Sequence, residues 1–279
     1  MEEKTKGKFS KDSCVSISLE MLRNMEYKVI KEKLLSVHGF NKIIVNAVDD
    51  YDVKVFAGAL YQAMADGGRY TIRCAAALTK ALGNISDKPL LARKEMVSKE
   101  NKNGGIIVVG SHTGKTTAQL EELKQLSSKI EFIEMDSDLV LQEGALQAEV
   151  RNIVEREEAW IKKGKTVCVS TKRALLKVEN DTPEAALIRS VEISHALQQC
   201  VGSLSVTPAF VVAKGGITSS DVGIKALRVK KATVLGQIQP GIPVWRTGKE
   251  SLFPGIPYII FPGNVGEMDT LKKTVSILL

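Results

Sequence analysis

A short apolar strand that runs into a glycine loop is the sequence feature that most limits the fold of this chain. It occurs three times after residue 100, with loops at 110–117 (GSHTGKTT), 215–220 (GGITSS) and 262–266 (PGNVG). Open α/β sheets bind ligands outside the carboxyl ends of their strands, where such loops lie. The repetition therefore predicts a ligand site built from three loops of an α/β fold.

These loops carry groups that suit a phosphate. A glycine turn at a helix start aims several main-chain N–H groups and the positive end of the helix dipole at one point. Hydroxyl groups stand near the glycines at Ser111, Thr116, Thr117, Thr218, Ser219 and Ser220. The set of loops indicates a phosphate site, whereas any single glycine is better explained as a turn or helix-capping residue.

The first loop resembles a P-loop but has a different spacing. The motif GxxxxGK[ST] needs glycine at position 109, where the sequence has Val109, and Gly110 leaves three residues before Gly114. A ring of main-chain amides shortened in this way would not encircle a β-phosphate as a P-loop does. Lys115 is then a solvated lysine at a helix start or a point charge near a phosphate. A P-loop ATPase is the rival interpretation.

Other residues that can carry chemistry have structural explanations. His112 has no carboxylate placed to orient it, which favours a hydrogen-bonded or exposed loop histidine over a general base. Asp136 and Asp138 have a spacing that can hold Mg²⁺ through a nucleotide, but they precede a helix, which favours capping. The four cysteines lack CxxC spacing, so we assign neither a disulfide nor a metal site to side chains.

The apolar periodicity predicts an α/β protein of two domains, each with a mostly parallel or mixed sheet flanked by helices. The polar stretch 97–105 is the best boundary and gives domains at 1–100 and 104–279. In the first domain, strands are predicted at 42–48 and 70–73, each followed by a helix.

In the second domain, strands alternate with helices. Thr182 and Pro183 open one helix as its cap and its first residue. Ser219 or Ser220 is predicted to cap another helix, which reaches Leu227.

Composition narrows the classes of function. No apolar run reaches the roughly 18 to 20 residues that cross a bilayer, and the charged first residues lack the apolar core of a secretory signal. We therefore expect a cytoplasmic protein without a membrane partner. The net charge of +7 suits anionic ligands. Nucleic acid is not the expected ligand, because the densest basic group has no interleaved aromatic residues; it comprises Lys225, Arg228, Lys230 and Lys231.

Several motifs resemble the four-carbon acid sugar kinase family. In the second part of the chain they are VVGSHTGKTTAQL at 108–120, AKGGITSSDVGIKAL at 213–227, VLGQIQPGIPVW at 234–245 and FPGNVGEMDTL at 261–271. In the first part, VNAVDDYDVKVFAGAL at 45–60 and IRCAAAL at 72–78 look like the late part of the family's acid-sugar domain. The resemblance covers nearly the whole chain.

The resemblance implies an ATP-dependent kinase that phosphorylates threonate, erythronate or a 3-oxo-tetronate, with Mg²⁺ as a cofactor. Arg73, in the segment similar to the family's Arg-Thr-Ala-Ala motif, would face the substrate carboxylate or the domain junction. No residue is assigned as the catalytic base. By the resemblance, the nucleotide contacts carry over to Ser111, Gly215, Gly216, Ile217, Thr218 and Gly263.

This sequence departs from the family pattern in three places. Ile217 stands where many relatives have an acidic residue, and Phe261 stands where many have lysine. The aspartate-rich loop with which relatives begin has no counterpart, so we expect a separate half or a truncated product. The resemblance therefore leaves a second function open. The chain would then be a non-catalytic ATP-binding subunit or remnant, as a homodimer or with a partner chain that supplies the missing N-terminal half.

Overall fold

The computed structural model describes residues 1–39 and 41–279. They form two compact units, Met1–Asp87 and Lys88–Leu279. The first unit has one cluster of buried apolar residues, and the second unit has two. Each unit is therefore built around a core of its own.

Two parallel strands form the small sheet of the first unit. Strand β1 (Cys14–Ile17) pairs with strand β2 (Lys42–Val45) along their whole lengths. A parallel pair needs a crossover connection, and two helices lie in the segment that joins the strands. The helices of this unit are α1 (Leu19–Arg23), α2 (Tyr27–Leu35), α3 (Asp50–Ala65) and α4 (Ala76–Leu82).

Helix α3 is the centre of the first unit's core. It begins with a capping box, in which the Asp49 carboxylate accepts from the Asp52 main-chain N–H, and the Asp52 carboxylate accepts from that of Asp49. Its residues Val55, Ala59 and Ala63, which are spaced by one helical turn, are buried in the apolar cluster.

The parallel sheet predicted for the first part is confirmed, but one predicted strand is wrong. Residues 42–45 form a strand as expected, and residues 70–73 do not. A strand at the edge of a core needs one buried face, whereas Ile72 is 44% exposed and Arg73 is exposed as well. The partner of β2 is β1, to which the sequence analysis assigned no strand.

A seven-stranded mixed sheet organises the second unit. Five neighbouring strands, in the order β4, β5, β3, β6 and β9, are parallel. Strands β8 and β7 extend the sheet with antiparallel pairing. This arrangement confirms the α/β prediction. The strands, in order across the sheet, are β4 (Ile130–Met135), β5 (Thr166–Thr171), β3 (Ile106–Val109), β6 (Val211–Lys214), β9 (Pro257–Phe261), β8 (Ile242–Thr247) and β7 (Ala232–Gln239).

Helices cover both faces of this sheet. Ile106 and Val108 belong to one apolar cluster, whereas Ile107 and Val109 belong to the other, as the alternation of side chains along a strand requires. Among the described residues, no helix is long and apolar enough to cross a membrane. The helices are α5 (Arg93–Met96), α6 (Gly114–Lys124), α7 (Ala145–Lys162), α8 (Pro183–Gly202), α9 (Gly216–Asp221) and α10 (Thr270–Leu278).

The segment between the two predicted domains packs with the second unit. The main-chain N–H of Leu91 donates to the carbonyl of Gln237 at 2.8 Å. Leu91, Met96 and Val97 are buried in the same cluster as strand β3. The structure thus divides the chain after Asp87, ahead of the polar stretch 97–105.

Glu157 on α7 is a buried carboxyl group in the core of the second unit. Its side chain is fully buried, and neither carboxyl oxygen has a hydrogen-bond partner among the residues that the structure describes. Burial raises the pKa of Glu157 well above its usual range, because an unpaired charge is costly in an apolar environment.

Candidate nucleotide site

Three neighbouring parallel strands bring the glycine loops to one edge of the sheet. Strands β3, β6 and β9 lie side by side, and each is followed by one of the loops. Hydrogen bonds join the loops directly. Gly110 N–H donates to the Lys214 carbonyl at 3.4 Å, and Gly215 N–H donates to the Phe261 carbonyl at 2.9 Å.

The predicted contact residues of the three loops lie close together. A Cβ atom placed on Gly215 would be 3.3 Å from the Cβ of Ser111. A Cβ atom on Gly263 would be 3.9 Å from the main-chain nitrogen of Gly216. The structure thus brings one residue from the first loop, two from the second and one from the third to the same place.

The side chain of Thr218 fills the space between the first two loops. Its Oγ1 would lie 2.3 Å from a Cβ atom on Gly110 and 3.2 Å from one on Gly215. Gly110 therefore has no room for a side chain. Gly215 has an additional constraint, because its φ of +122° lies in a region that side chains strongly disfavour.

The second loop leaves the start of a helix open. Helix α9 begins at Gly216, and its N-cap residue Gly215 has no side chain to accept a hydrogen bond. The first N–H groups of a helix have no partner within it, so the amides of 216–218 are available to a ligand. A π-helical turn, Val222–Ala226, follows α9 directly.

The predicted cap at Ser219 or Ser220 is wrong. Ser219 lies inside α9, where its hydroxyl donates to the buried carbonyl of Ala213 at 2.7 Å. The helix begins earlier than expected because Gly215 permits the chain to turn directly from β6 into the helix.

In the first loop, a side chain of the loop itself caps the start of the following helix. Thr113 is the N-cap of α6, and its hydroxyl accepts from the main-chain N–H of Thr116 at 3.3 Å. Lys115 extends toward the third loop, where its Nζ donates to the carbonyls of Asn264 and Gly266. One of the first amides of α6, that of Thr116, is therefore occupied by a side chain of the loop itself.

A cavity of about 740 Å³ opens beside the first two loops. Gly215, Gly216 and Ser111 line one side, and helix α8 with the segment after β5 lines the other. Four apolar side chains that line the cavity are exposed; they belong to Leu175, Leu187, Val191 and Ile217.

The outward position of Ile217 follows from its place on α9. Its side chain is 74% exposed and lines the cavity.

Arg73 is exposed on the segment before α4, within the first unit, and it is not among the residues that line this cavity.

Arg173 supports the first loop from behind. Its Nη2 donates to the Ser111 carbonyl at 2.6 Å and to the Thr117 hydroxyl at 2.9 Å. Its Nε and Nη1 are buried, and within the described part of the chain they have no hydrogen-bond partner. Burial lowers the pKa of Arg173 from its usual value. Sequence analysis missed this residue, because no motif marks it.

His112 is hydrogen-bonded, as the sequence analysis predicted. Its Nε2 lies 3.1 Å from the Lys172 carbonyl and 3.3 Å from the Thr171 hydroxyl. Burial, followed by the nearby charge of Arg173, lowers the pKa of His112. The histidine is therefore mainly neutral at physiological pH.

The carboxylates near the cavity are already engaged. Asp136 caps a short 3₁₀ helix by accepting from the Asp138 N–H, which confirms its predicted role. Asp181 pairs with Arg189, and Asp221 pairs with Lys225 at 2.9 Å. Within the part of the chain that the structure describes, no group of three His, Cys, Asp or Glu side chains is arranged to hold a metal ion.

Comparison with known families decides which family this arrangement belongs to. A family model described as a nucleotide-binding C-terminal domain matches residues 106–271, more than half of the chain. The chain belongs to this family. The matched segment runs from the start of β3 to the second residue of α10 and contains all three glycine loops. The resemblance to the four-carbon acid sugar kinase family is thereby confirmed.

Solved structures share the fold at low sequence identity. A Salmonella typhimurium LT2 protein described as a candidate tRNA synthase has a TM-score of 0.61 and 15% identity, over 93% of this chain and 58% of its own. A Haemophilus influenzae protein of the DUF1537 family has a TM-score of 0.48 and 18% identity, over 95% and 61%. A DUF1537 domain from Bordetella bronchiseptica, a domain-swapped dimer with bound citrate, has a TM-score of 0.48 and 16% identity, over 95% and 59%.

The chain spans about three fifths of the length of these solved structures. The similarity to the Salmonella protein shows a shared α/β fold. No protein of curated function matches the chain significantly.

Proposed function

We propose that the second unit binds ATP and that the chain acts as an ATP-dependent kinase of four-carbon acid sugars such as threonate, erythronate or a 3-oxo-tetronate. One observation carries the proposal: three glycine loops meet at one sheet edge with main-chain N–H groups that no group among the described residues occupies. The phosphates would lie against Ser111, Gly215, Gly216, Ile217, Thr218 and Gly263.

Main-chain amides suit this ligand for an electrostatic reason. The start of α9 carries the positive end of the helix dipole, and an anion there accepts from several N–H groups at once. The amides are fixed by the sheet, so they need no rearrangement as phosphate charge develops during transfer. Ile217 contributes its N–H, and its exposed side chain adds apolar surface to the cavity.

The apolar wall of the cavity suits the adenine base. Leu175 and Leu187 are each 66% exposed, and Val191 is 58% exposed. All three line the same cavity as the second glycine loop. A base that packed against them would remove apolar surface from water, while its phosphates reached the open amides.

Mg²⁺ fits this site as an ion carried by the phosphates. Mg²⁺ usually binds through phosphate oxygens and waters with one or two protein oxygens. The cavity offers the hydroxyl groups of Ser111 and Thr218 for this purpose. When bound, the ion would neutralise phosphate charge during transfer.

The carboxylate of the acid sugar would be held by a basic group. Arg73 is the candidate that the family resemblance gives for this contact. Phosphoryl transfer depends mainly on positioning and charge neutralisation. The second unit would then bind the nucleotide and fix its position.

A second candidate is a nucleotide-binding subunit that requires a partner chain or a second copy of itself for turnover. The pairing of both cavity carboxylates favours it. Asp181 is bound to Arg189, and Asp221 to Lys225, so neither is free to accept the proton of an attacking hydroxyl. In this case the base would come from the partner.

Calorimetry followed by an activity assay separates the candidates. ATP with Mg²⁺ is titrated into the protein, and ADP formation is then measured with threonate and with erythronate. We expect binding in the first experiment and ADP formation that depends on the acid sugar in the second. Binding without turnover would favour the subunit function. Absence of binding would overturn both candidates.

A further inference from the structure

The third loop is held by its carbonyl groups. All six carbonyls from Pro262 to Glu267 accept hydrogen bonds from side chains. The donors are Lys214, Lys115 and Gln119, and we call these three side chains the carbonyl clamp. Lys214 Nζ donates to the carbonyls of residues 262 and 263, both at 2.9 Å. Lys115 Nζ donates to those of residues 264 and 266, and Gln119 Nε2 to those of residues 265 and 267.

The clamp leaves the N–H groups of the same loop without partners. In residues 1–39 and 41–279, no protein group accepts from the N–H of Gly263, Asn264, Val265 or Gly266. Carbonyl oxygens repel an anion and amides attract it. Because the carbonyls of this loop already accept hydrogen bonds from side chains, its amides can donate to an anion.

Lys214 is the member of the clamp that joins two loops. It is the last residue of β6, immediately before Gly215, and its strand partner is Phe261 at the end of β9. Its side chain is fully buried, and its Nζ lies 4.5 Å from the centre of the Phe261 ring. A cation over an aromatic face is attracted by the ring.

This arrangement bears on the departure at Phe261. The ring of Phe261 lies under the ammonium of Lys214. A positive charge is thus present at the base of the third loop, supplied by the neighbouring strand.

We propose that Lys214 is a positioning residue for the phosphate chain of the nucleotide. It holds the third loop by its carbonyls, so that the amides of that loop and those after Gly215 face the same phosphates. The inference rests on the proposed nucleotide binding and assigns that site a buried charge, which sequence motifs did not identify as a contact.

The charge of Lys214 should respond to the ligand. Burial, followed by the nearby ammonium of Lys115 on α6, lowers the pKa of Lys214 to about 8. The other groups that contact it are uncharged: the ring of Phe261 on β9 and the two carbonyls of the third loop. Bound phosphate would favour the charged form, and binding at pH 8 should therefore take up a proton.

The test is calorimetry of ATP with Mg²⁺ at pH 8 in two buffers of different ionisation enthalpy. We expect the wild-type protein to take up a fraction of a proton per nucleotide, because part of the Lys214 population is uncharged near its pKa of about 8. Lys214→Met should bind at least about ten-fold more weakly, since it loses two charged hydrogen bonds to the loop, and it should lose the proton uptake. Lys124→Met, which removes an exposed lysine of α6 outside the clamp, should behave as wild type.

Each outcome identifies which claim fails. If the wild-type protein does not bind the nucleotide, the proposed function and this inference both fall. If it binds without proton uptake at pH 8, or if Lys214→Met binds and takes up protons as wild type does, the inference is wrong and the proposed function stands. The wild-type measurement alone is decisive if Lys214→Met does not fold.

Discussion

The first and second glycine loops both connect a strand to a helix, but the starts of their helices differ. Each follows a buried strand of the same sheet and leads into a helix. In the first, the hydroxyl of Thr113 accepts from the N–H of Thr116, the third residue of α6. In the second, Gly215 has no side chain, and the start of α9 stays open.

In the proposed site, the unoccupied amides rather than the glycines themselves would receive the anion. The first loop carries the GKT sequence typical of nucleotide-binding loops, yet its lysine binds carbonyls of the third loop. The second loop has no cation in its short sequence and presents three amides at a helix start. A motif search would favour the first loop, and the structure favours the second.

The largest expected effect comes from a side chain at the open helix start. Gly216 and Gly114 are the first residues of α9 and α6, and a Cβ atom on either meets no atom within 4 Å. Gly216→Val should weaken ATP binding on the order of 100-fold, because it blocks charge-assisted hydrogen bonds from the amides. Gly114→Val is the matched control and should change affinity by less than about threefold; calorimetry measures both.

A reversal would contradict the comparison. If Gly114→Val weakened binding and Gly216→Val did not, the first loop would hold the nucleotide. The P-loop interpretation would then be correct in spite of its spacing.

The second effect is on stability and concerns the backbone of Gly215. Gly215→Ala forces a side chain into a φ of +122° and places its Cβ near Thr218 and Ser111. We expect the free energy of unfolding to fall by on the order of 1 to 3 kcal/mol. Gly114→Ala, at a position without a positive φ, should be neutral or slightly stabilising. Chemical denaturation of the two variants tests the contrast, and equal stabilities would show that the strain at Gly215 is absent.

The third effect concerns the capped helix start. Thr113→Val removes the hydroxyl that accepts from Thr116 N–H and should lower the free energy of unfolding by about 1 kcal/mol. Affinity for ATP should stay within about threefold of wild type, because these amides are not in the proposed site. A tenfold loss of affinity, measured by calorimetry, would place the start of α6 in the site after all.

The smallest effect is expected at Lys115. Its two hydrogen bonds to third-loop carbonyls are long, at 3.2 and 3.4 Å, and the clamp keeps Lys214 and Gln119 without it. Lys115→Ala should therefore weaken ATP binding by less than about fivefold. If binding were abolished, Lys115 would contact phosphate as in a P-loop ATPase.

Much of the second unit's fold could be predicted from the sequence. Buried strands such as Ile106–Val109 are short apolar runs ended by glycine, and Thr182 with Pro183 marks the start of α8 correctly. The predicted strand at 70–73 fails because local β-propensity does not report whether a face is buried. The predicted serine cap of α9 fails because Gly215, through its backbone freedom alone, allows an earlier start.

The site could be predicted only where glycine spacing carries the signal. The three loops and their main-chain contacts stand out because glycines follow apolar strands. Arg173 and Gln119 reach the loops across the fold and carry no local pattern. Lys214 lies within the AKGG sequence, but its burial and its two acceptors depend on the pairing of β6 with β9.

The unpaired carboxyl of Glu157 gives this chain an unusual response to acid. Burial raises the pKa of Glu157 in the folded chain, whereas the unfolded chain has an ordinary pKa of about 4.3. Since the folded state binds more protons, this residue's contribution to stability decreases as pH rises above that value. Mild acidification therefore strengthens the core around α7, where most buried carboxylates would weaken it.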